Sequence, residues 1–469
     1  MRPSPLVICA ARATATARQS FYALASPPGK AGVAVYRVSG PQALLAYKAI
    51  VRPISKADHD LKYPTPWKLH RCKVVDPDTS APIDDGLAEL HGSRHPGAHV
   101  HSGRALSAAI LGALSRVPGL RPADPGEFTR TALKNGKMDL TQAEGLRDLL
   151  DAETEAQRKV ARAVASGHTR RTFEELRARI IGALARVEAL IDFGEGEDIE
   201  AGTWDAATER VQHLRTAIEG HLADGRRGEI LRAGIRVAIF GPPNAGKSSL
   251  LNFFARRDAA LVTPIAGTTR DTLEVHMDLG GLPVTLVDTA GLRSDDETDN
   301  FVERLGIERA RQAIQDADLA LCVLSLEEAI IPAELEELLN AMSHKTMVVF
   351  NKGDLGGAPP PSITPRLSWQ ISVRNGDGME QFVEGLIETL RHRFDPDSSE
   401  EPIITHARHR HHLERALESL DAFLELPSDE IVLACEELRL AATELGRVVG
   451  MVGVEDILDA LFKDFCIGK

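Results

Sequence analysis

The stretch Ile235-Arg-Val-Ala-Ile-Phe240, followed at once by Gly241-Pro-Pro-Asn-Ala-Gly246-Lys247-Ser248, fixes the architecture of the middle of this chain. A short apolar run reads as a buried strand, and a glycine-rich loop ending in Gly-Lys-Ser and opening a helix is a phosphate-binding loop. The glycines let main-chain N–H groups wrap an anion, which makes Asn244, Ala245, Gly246 and Ser249 nucleotide contacts. Lys247 reaches the β and γ oxygens as the catalytic cation, and the Ser248 hydroxyl at the helix N-terminus is a Mg²⁺ ligand.

Outward from this loop, further segments fall in the order a guanine-nucleotide site requires. Gly267-Thr-Thr-Arg-Asp271 stands where a first switch belongs, with Thr268 and Thr269 toward the nucleotide, Thr269 completing the Mg²⁺ shell, and Arg270 and Asp271 closing the motif. The strand-like run ending at Asp288 delivers Asp288-Thr289-Ala290-Gly291, whose carboxylate holds a Mg²⁺-bound water and whose Gly291 N–H faces the γ-phosphate. Asn351-Lys352-Gly353-Asp354 follows another apolar run. Its carboxylate accepts both guanine N1–H and the exocyclic amine, a pairing adenine cannot satisfy, so GTP is favoured over ATP. Ser372-Val373-Arg374 occupies the last guanine loop. Leu292, not glutamine, follows Gly291, so hydrolysis needs another arrangement: oxygens of Asn244, Thr263, Ile265 and Thr268 are expected to hold K⁺ beside the phosphates, in place of an arginine finger.

The remaining composition sets the frame. At 469 residues the chain exceeds a single core, so two or three domains are expected. A formal net charge of −13 excludes a protein that coats nucleic acid non-specifically, while leaving room for a local basic patch. No run approaches the roughly eighteen apolar residues of a membrane span. The five cysteines lie far apart without CxxC or zinc spacing, as in a reducing compartment. The first acidic residue is Asp58, and Arg2, Arg12 and Arg18 sit among Ala, Ser and Thr, so residues 1–20 are expected to be a mitochondrial presequence.

Five segments follow from these signals: the presequence at 1–20, an α+β domain at 21–138, a helical part at 139–232, an α/β P-loop domain at 233–394, and a second helical part at 395–469. Thr141-x-x-Glu144 offers a capping box for the first helical part. Phe173, Leu176, Ile180, Leu184, Val187 and Ile191 share a helix face, as do His412, Leu413, Ala416, Leu420 and Phe423. The nucleotide domain therefore interrupts a helical one. His406, His409, His411 and His412, with Arg408 and Arg410, read as a helix surface facing tRNA phosphate rather than a metal site.

The terminal Cys466-Ile-Gly-Lys469, together with Gly267-Thr-Thr-Arg-Asp271, closely resembles the MnmE (TrmE) family of tRNA-modifying GTPases, in the form of a mitochondrial homologue. Pro27-Pro-Gly29 with Tyr36-Arg-Val-Ser-Gly40, Pro125-Gly-Glu-Phe-Thr129, Asn135-Gly-Lys137, Leu140-Thr-Gln-Ala-Glu144, Ile191-Asp-Phe193 and Glu437-Leu-Arg-Leu-Ala441 carry the likeness over most of the chain.

The resemblance implies a folate-binding-like N-terminal domain, a discontinuous helical domain and an inserted GTPase domain activated by K⁺-dependent dimerisation. It implies modification of carbon 5 of the tRNA wobble uridine with a tetrahydrofolate one-carbon unit, a GidA (MnmG) flavoprotein partner that carries FAD, and a place in the mitochondrial matrix. It assigns Arg37, Lys137 and Lys469 to folate, and Glu303, in Glu303-Arg-Leu-Gly306, to orienting the hydrolytic water. Cys466 is a site residue, not a nucleophile. The segment from Ala81 to Gly103 departs from the family, and the glutamate expected there is either Glu89 or absent. The competing reading is a GTP-dependent assembly or ribosome-associated switch without modification activity.

Overall fold

The computed structural model describes residues 19–54, 65–91, 95–193, 197–224, 226–256, 260–261, 274–288, 311–327, 331, 333–360, 367–394, 402–451, 461–462, 465 and 468. The chain divides into two compact units, Met1–Asp139 with Val454–Lys469, and Leu140–Gly453.

The first unit is built on a seven-stranded sheet. Its strands are β1 (Ser20–Leu24), β2 (Ala34–Ser39), β3 (Val51–Pro53), β4 (His70–Val75), β5 (Pro82–His91), β6 (His95–Val100) and β7 (Leu120–Pro122), in the order β3-β4-β5-β6-β2-β1-β7. Among the described residues only β1 and β7 pair in parallel in this sheet. Alternation sends Tyr36 and Val38 of β2, Cys72 and Val74 of β4 and Ala88 of β5 to one face. Helices α1 (Ala43–Ile50) and α2 (Arg104–Ser115) cover that face with Ala43, Ala46, Tyr47, Ile110, Ala113 and Leu114. On the opposite face Phe21 and Ala23 pack with Ala123 and with Phe128 of α3 (Glu127–Lys134). Helix α3 ends in a Schellman turn: Gly136, at φ +65°, and Lys137 donate to the Leu133 and Ala132 carbonyls at 2.9 Å each.

The second unit contains a four-helix bundle interrupted by an α/β layer. Helices α4 (Leu140–Asp151), α5 (Glu155–Ala165), α6 (His168–Phe193), α7 (Glu197–Leu222) and α8 (Arg227–Ala233) lead into β8 (Ile235–Phe240). After the α/β layer the chain returns through α12 (Ala407–Glu425) and α13 (Ile431–Val448), and α6, α7, α12 and α13 share one core. The expected positions Phe173, Leu176, Ile180, Val187, Leu413, Ala416, Leu420 and Phe423 are all buried in it. Ile191 is 46% exposed and does not belong to that face.

The α/β layer comprises β8, α9 (Lys247–Ala255), β9 (Ala260–Leu261), β10 (Glu274–Leu279), β11 (Leu282–Asp288), β12 (Leu319–Ser325), α10 (Ala333–Ala341), β13 (Thr346–Asn351), β14 (Ser368–Gln370) and α11 (Met379–Phe394). Its sheet runs β14-β13-β12-β8-β11-β10-β9, parallel from β14 to β11 and antiparallel beyond. Strands β12 and β13 are buried at every position, as parallel strands covered on both faces must be. Leu250, Phe254, Phe382, Leu386 and Leu390 fill one side, and Ile314, Leu335, Leu338 and Leu339 the other.

Two local expectations are corrected. Thr141 does not cap a helix, because α4 begins at Leu140, and the Glu144 carboxylate is taken by Arg408 and His409. The capping box lies one helix later: Thr154 Oγ1 accepts from Gln157 N at 3.3 Å, and Gln157 Oε1 accepts from Thr154 N at 3.2 Å. The basic run of α12 is likewise not a phosphate-facing surface. Arg408 forks onto Glu144 at 2.5 and 2.6 Å, His406 meets Asp148 at 3.0 Å, Arg410 bridges Glu229 and Asp224, and His412 meets Glu444 at 2.7 Å. Only His411 of that run is exposed. Among the described residues no group of three or more His, Cys, Asp or Glu is placed to hold a metal.

Candidate functional site

In an α/β sheet wound in two directions, ligands bind beyond the carboxyl ends of the strands where the winding reverses. Here that point is β8, flanked by β11 on one side and β12 on the other. The loop from Gly241 to Ser248 leaves its carboxyl end. Gly241 has φ +143° and Gly246 +98°; a Cβ at Gly241 would overlap the Val323 carbonyl, and one at Gly246 the Asn351 side chain. Only glycine fits at these two positions, so the loop wraps as bare backbone, which suits a polyphosphate. Asn244 adds a left-handed turn at φ +58°.

Lys247 is nearly buried and donates to the carbonyls of Gly241 (2.9 Å) and Pro242 (2.8 Å), so its ammonium is held against the loop. Ser248 Oγ lies 3.3 Å from Asp288 Oδ2, which brings the two expected Mg²⁺-associated groups together. Asp288 is 1% exposed at the end of β11, fixed by its parallel register opposite Ile239.

The Asn351–Asp354 segment is tied to the same loop. Asn351, buried at the end of β13, donates to the Ala245 carbonyl at 2.9 Å and accepts from Val373 N at 3.2 Å. It thus bridges the phosphate loop to the segment from Ser372 to Arg374. Ser372, itself buried, donates its hydroxyl to Asp354 Oδ1 at 2.7 Å, and this bond first, with Arg374 and Lys352 nearby, holds the Asp354 carboxyl below its ordinary pKa. Asp354 stays a fixed, ionised acceptor. Asn244, Gly246, Ser249, Phe253, Arg256, Asn351, Lys352, Asp354, Ser372, Val373 and Arg374 line one cleft of about 790 Å³, within the range of small-ligand sites. The sequence reading did not include Phe253 and Arg256; their places four and seven residues after Ser249, on α9 and at its C-cap, are the signal that would have found them.

Thr263, Ile265, Thr268, Thr269, Arg270, Asp271, Thr289, Ala290, Gly291 and Glu303 lie outside the described residues, as do Cys466 and Lys469.

The first unit holds a second constellation. Arg37 on β2 pairs in register with Gly97 on β6, which pairs with Glu89 on β5, so Arg37 and Glu89 stand in one row on one face of the sheet. Ala23 occupies the next place in that row. The Arg37 guanidinium lies 4.8 Å over the Phe128 ring, and Phe128 meets Phe21 edge-on at 4.8 Å. Burial among these groups lowers the Arg37 pKa, and the Glu89 carboxylate partly restores it. Glu89 also meets His99 Nε2 at 3.1 Å. Within the Pro125–Thr129 motif, Glu127 accepts from Arg121 and from Asp124 N, which fixes the start of α3 and hence Phe128. Phe462 and Phe465 pack on Gly126, and Gly468, at φ +102°, lies against Leu24 and Ala25. Gly468 therefore lies beside the end of β1. Lys137 is exposed, in the turn after α3.

Comparison with known proteins fits both units. A family model described as the MnmE helical domain matches residues 140–466, and one described as the N-terminus of the GTP-binding protein TrmE matches residues 20–137. A tRNA modification GTPase MnmE from Parvibaculum lavamentivorans is 43% identical, covering 96% of this chain and 100% of that relative. Mitochondrial 5-taurinomethyluridine tRNA synthase subunits from Danio rerio and Homo sapiens are 41% and 39% identical, each covering 96% of this chain and 93% of the relative. Similarity of this depth along nearly the whole length, over a helical domain carrying a phosphate-loop α/β layer, means that the chain belongs to the MnmE (TrmE) family of tRNA modification GTPases.

Proposed function

We propose that this GTPase is the nucleotide-hydrolysing component of a complex that modifies carbon 5 of the wobble uridine of tRNA in the mitochondrial matrix. The observation that carries the reading is the single cleft joining the Gly241–Ser248 cradle to Asp354 and Ser372. The mitochondrial names of the Danio rerio and human relatives, and the arginine-bearing segment 1–20, support the location.

In this reading Lys247 and the main-chain N–H groups from Asn244 to Ser249 bind the phosphates, and Ser248, Thr269 and Asp288 serve Mg²⁺. Thr289, Ala290 and Gly291 close on the γ-phosphate. Asn351, Lys352, Asp354 and the Ser372–Arg374 loop read guanine. Asn244, Thr263, Ile265 and Thr268 hold K⁺, Arg270 and Asp271 complete the first switch, and Glu303 orients the water in place of the missing glutamine at Leu292. Two copies of the domain at 233–394 meet to become active, on a chain whose other parts are 21–138, 139–232 and 395–469.

A tetrahydrofolate derivative supplies the one-carbon unit. Arg37, Lys137 and Lys469 bind it, and the row that Glu89 shares with Arg37 supports reading Glu89 as the glutamate expected in the altered segment at 81–103. A GidA/MnmG-type flavoprotein brings FAD, and tRNA is the substrate.

Steady-state GTP turnover of the full chain in K⁺ against Na⁺ tests the catalytic half: a rise of at least about tenfold in K⁺ is expected, and equal rates would remove the cation from the mechanism. Nucleoside analysis of mitochondrial tRNA from cells lacking the protein tests the rest. Unchanged wobble uridines would leave a GTP-dependent switch without modification activity.

A further inference from the structure

Helices α4 and α5 form a hairpin whose two arms hold different parts of the second unit. The α5 arm grips the α/β layer. Ala156 and Val160 are buried in the core that contains Val284 and Leu286 of β11. Ala156 N, a first-turn donor with no partner inside its own helix, donates to the Gly281 carbonyl at 3.0 Å. Gly281 is in the turn joining β10 to β11, and β11 ends at Asp288. Gln157 Nε2 donates to the Arg232 carbonyl at 3.2 Å, just ahead of β8, whose other end carries the phosphate loop. Two strands that lead to the nucleotide cleft are therefore held at their far ends by one helix N-terminus.

The α4 arm grips the bundle. Glu144 takes Arg408 and His409, and Asp148 takes His406, all from the start of α12. Asp148 Oδ1 also accepts from Arg232 Nε at 2.9 Å, so the lead-in to β8 and the start of α12 meet on one carboxylate. Between the two arms lies a cavity of about 190 Å³, lined by Asp148, Gln157, Val160, Arg232 and Thr405 among others. The Thr405 hydroxyl is buried there without a hydrogen-bond partner. A cavity and an unsatisfied hydroxyl at the same joint mark packing with room for a second arrangement, since buried polar atoms are ordinarily paired.

We propose that the α4–α5 hairpin carries the state of the nucleotide cleft to the helical bundle, with Gln157 as the positioning residue that fastens it to the lead-in of β8. The proposal rests on GTP binding at the Gly241–Ser248 loop. Movement of β11 at Asp288 is passed through the β10–β11 turn to α5, from α5 to α4, and from α4 to α12 through Glu144 and Asp148.

Gln157→Glu separates this role from folding. Its carboxylate keeps both capping-box acceptances from Glu153 N and Thr154 N but has no N–H for the Arg232 carbonyl. Hydrogen exchange of the full chain is followed at residues 140–151 and 155–165 with saturating GDP and with a non-hydrolysable GTP analogue. Fluorescent-nucleotide affinity and thermal midpoint are measured alongside. In the wild type, exchange in both helices differs by about tenfold between the two nucleotides, a coupling of ordinary size. In Gln157→Glu the difference in 140–151 falls below about twofold while affinity and thermal midpoint are kept. Val160→Thr, which weakens the apolar grip instead, shrinks the same difference. Equal exchange in the two wild-type states, with nucleotide bound, overturns the proposal, and so does a full difference surviving in Gln157→Glu. Failure of the wild type to bind nucleotide overturns the GTP-site reading beneath it instead.

Discussion

Replacing Glu144 by glutamine keeps the shape of the side chain and removes the charge that Arg408 and His409 share. Glu144 is 3% exposed; burial alone would raise its pKa, but the hydrogen bonds from His409 and Arg408 outweigh that and hold it far below the ordinary carboxylate value. Removing one partner of such a buried pair costs about 3 to 5 kcal/mol, because the other charge is left without compensation. Arg408 keeps the Val448 carbonyl at 2.9 Å, so the lower end, about 3 kcal/mol, is expected.

Trp204 is stacked on Phe423 of α12 at 5.4 Å and reports the bundle directly. With Trp67 and Trp369 changed to phenylalanine, urea unfolding followed by its emission should show the shift in midpoint, whatever the other domains do. Midpoints agreeing within the equivalent of about 1 kcal/mol would show that the clasp adds nothing.

The same titration in pH gives an independent check. Burial lowers the His409 pKa to about 4 against the Glu144 bond that opposes it, and an Nδ1–H would find no acceptor. Between that value and the unfolded value near 6.5, the unfolded chain binds more protons, so stability falls as pH drops through this window. The loss from pH 7 to pH 5 amounts to about 2 kcal/mol for this one group. His409→Phe should abolish that part of the slope.

Three further outcomes are expected. Gly246→Ala must hold a left-handed backbone while its Cβ overlaps Asn351; nucleotide affinity, measured by fluorescent GDP, falls about tenfold to a hundredfold, and an unchanged Kd would refute the cradle. Ser372→Ala frees Asp354 from its 2.7 Å bond, so KM for GTP rises about fivefold with kcat nearly constant; a matching fall in kcat would place Ser372 in the chemistry instead. Phe128→Leu removes the ring beneath Arg37 and lowers folate affinity about threefold by calorimetry while GTP turnover stays the same; unchanged folate binding would detach the Arg37 row from that ligand.

Legibility in the sequence followed the range of the interactions. The strand Ile235–Phe240, its loop and Asn351–Asp354 announce themselves because each motif is a few adjacent residues whose chemistry is local. The capping box was misplaced because Thr141-x-x-Glu144 and Thr154-x-x-Gln157 fit one pattern, and the difference is Arg408, 264 residues from Glu144. Separation along the chain likewise hid the role of the histidine and arginine run, whose acidic partners come from α4, the turn after α7, α8 and α13. That Ala156 and Val160 belong to the α/β core was equally invisible, since two small apolar residues on an amphipathic helix do not name their partner. Placing Glu89 in the row of Arg37 needed the register of β5 on β6, which no sequence pattern across a divergent segment supplies.

The inserted layer leaves the bundle and returns to it at neighbouring points: Gly228 of α8 approaches the Ile404 carbonyl so closely that a Cβ there would collide. For a chain emerging from the ribosome this ordering is a schedule. Helices α6 and α7 are made long before α12 and α13, and they must wait with Phe173, Ile180, Val211 and Leu214 uncovered. The α/β layer, complete by Phe394, can fold in that interval and bring its own ends together. A closure spanning some two hundred residues of loose chain then becomes a short one. A lesion that slows folding of the GTP-binding layer should therefore be felt first as aggregation of the helical bundle, far from any nucleotide.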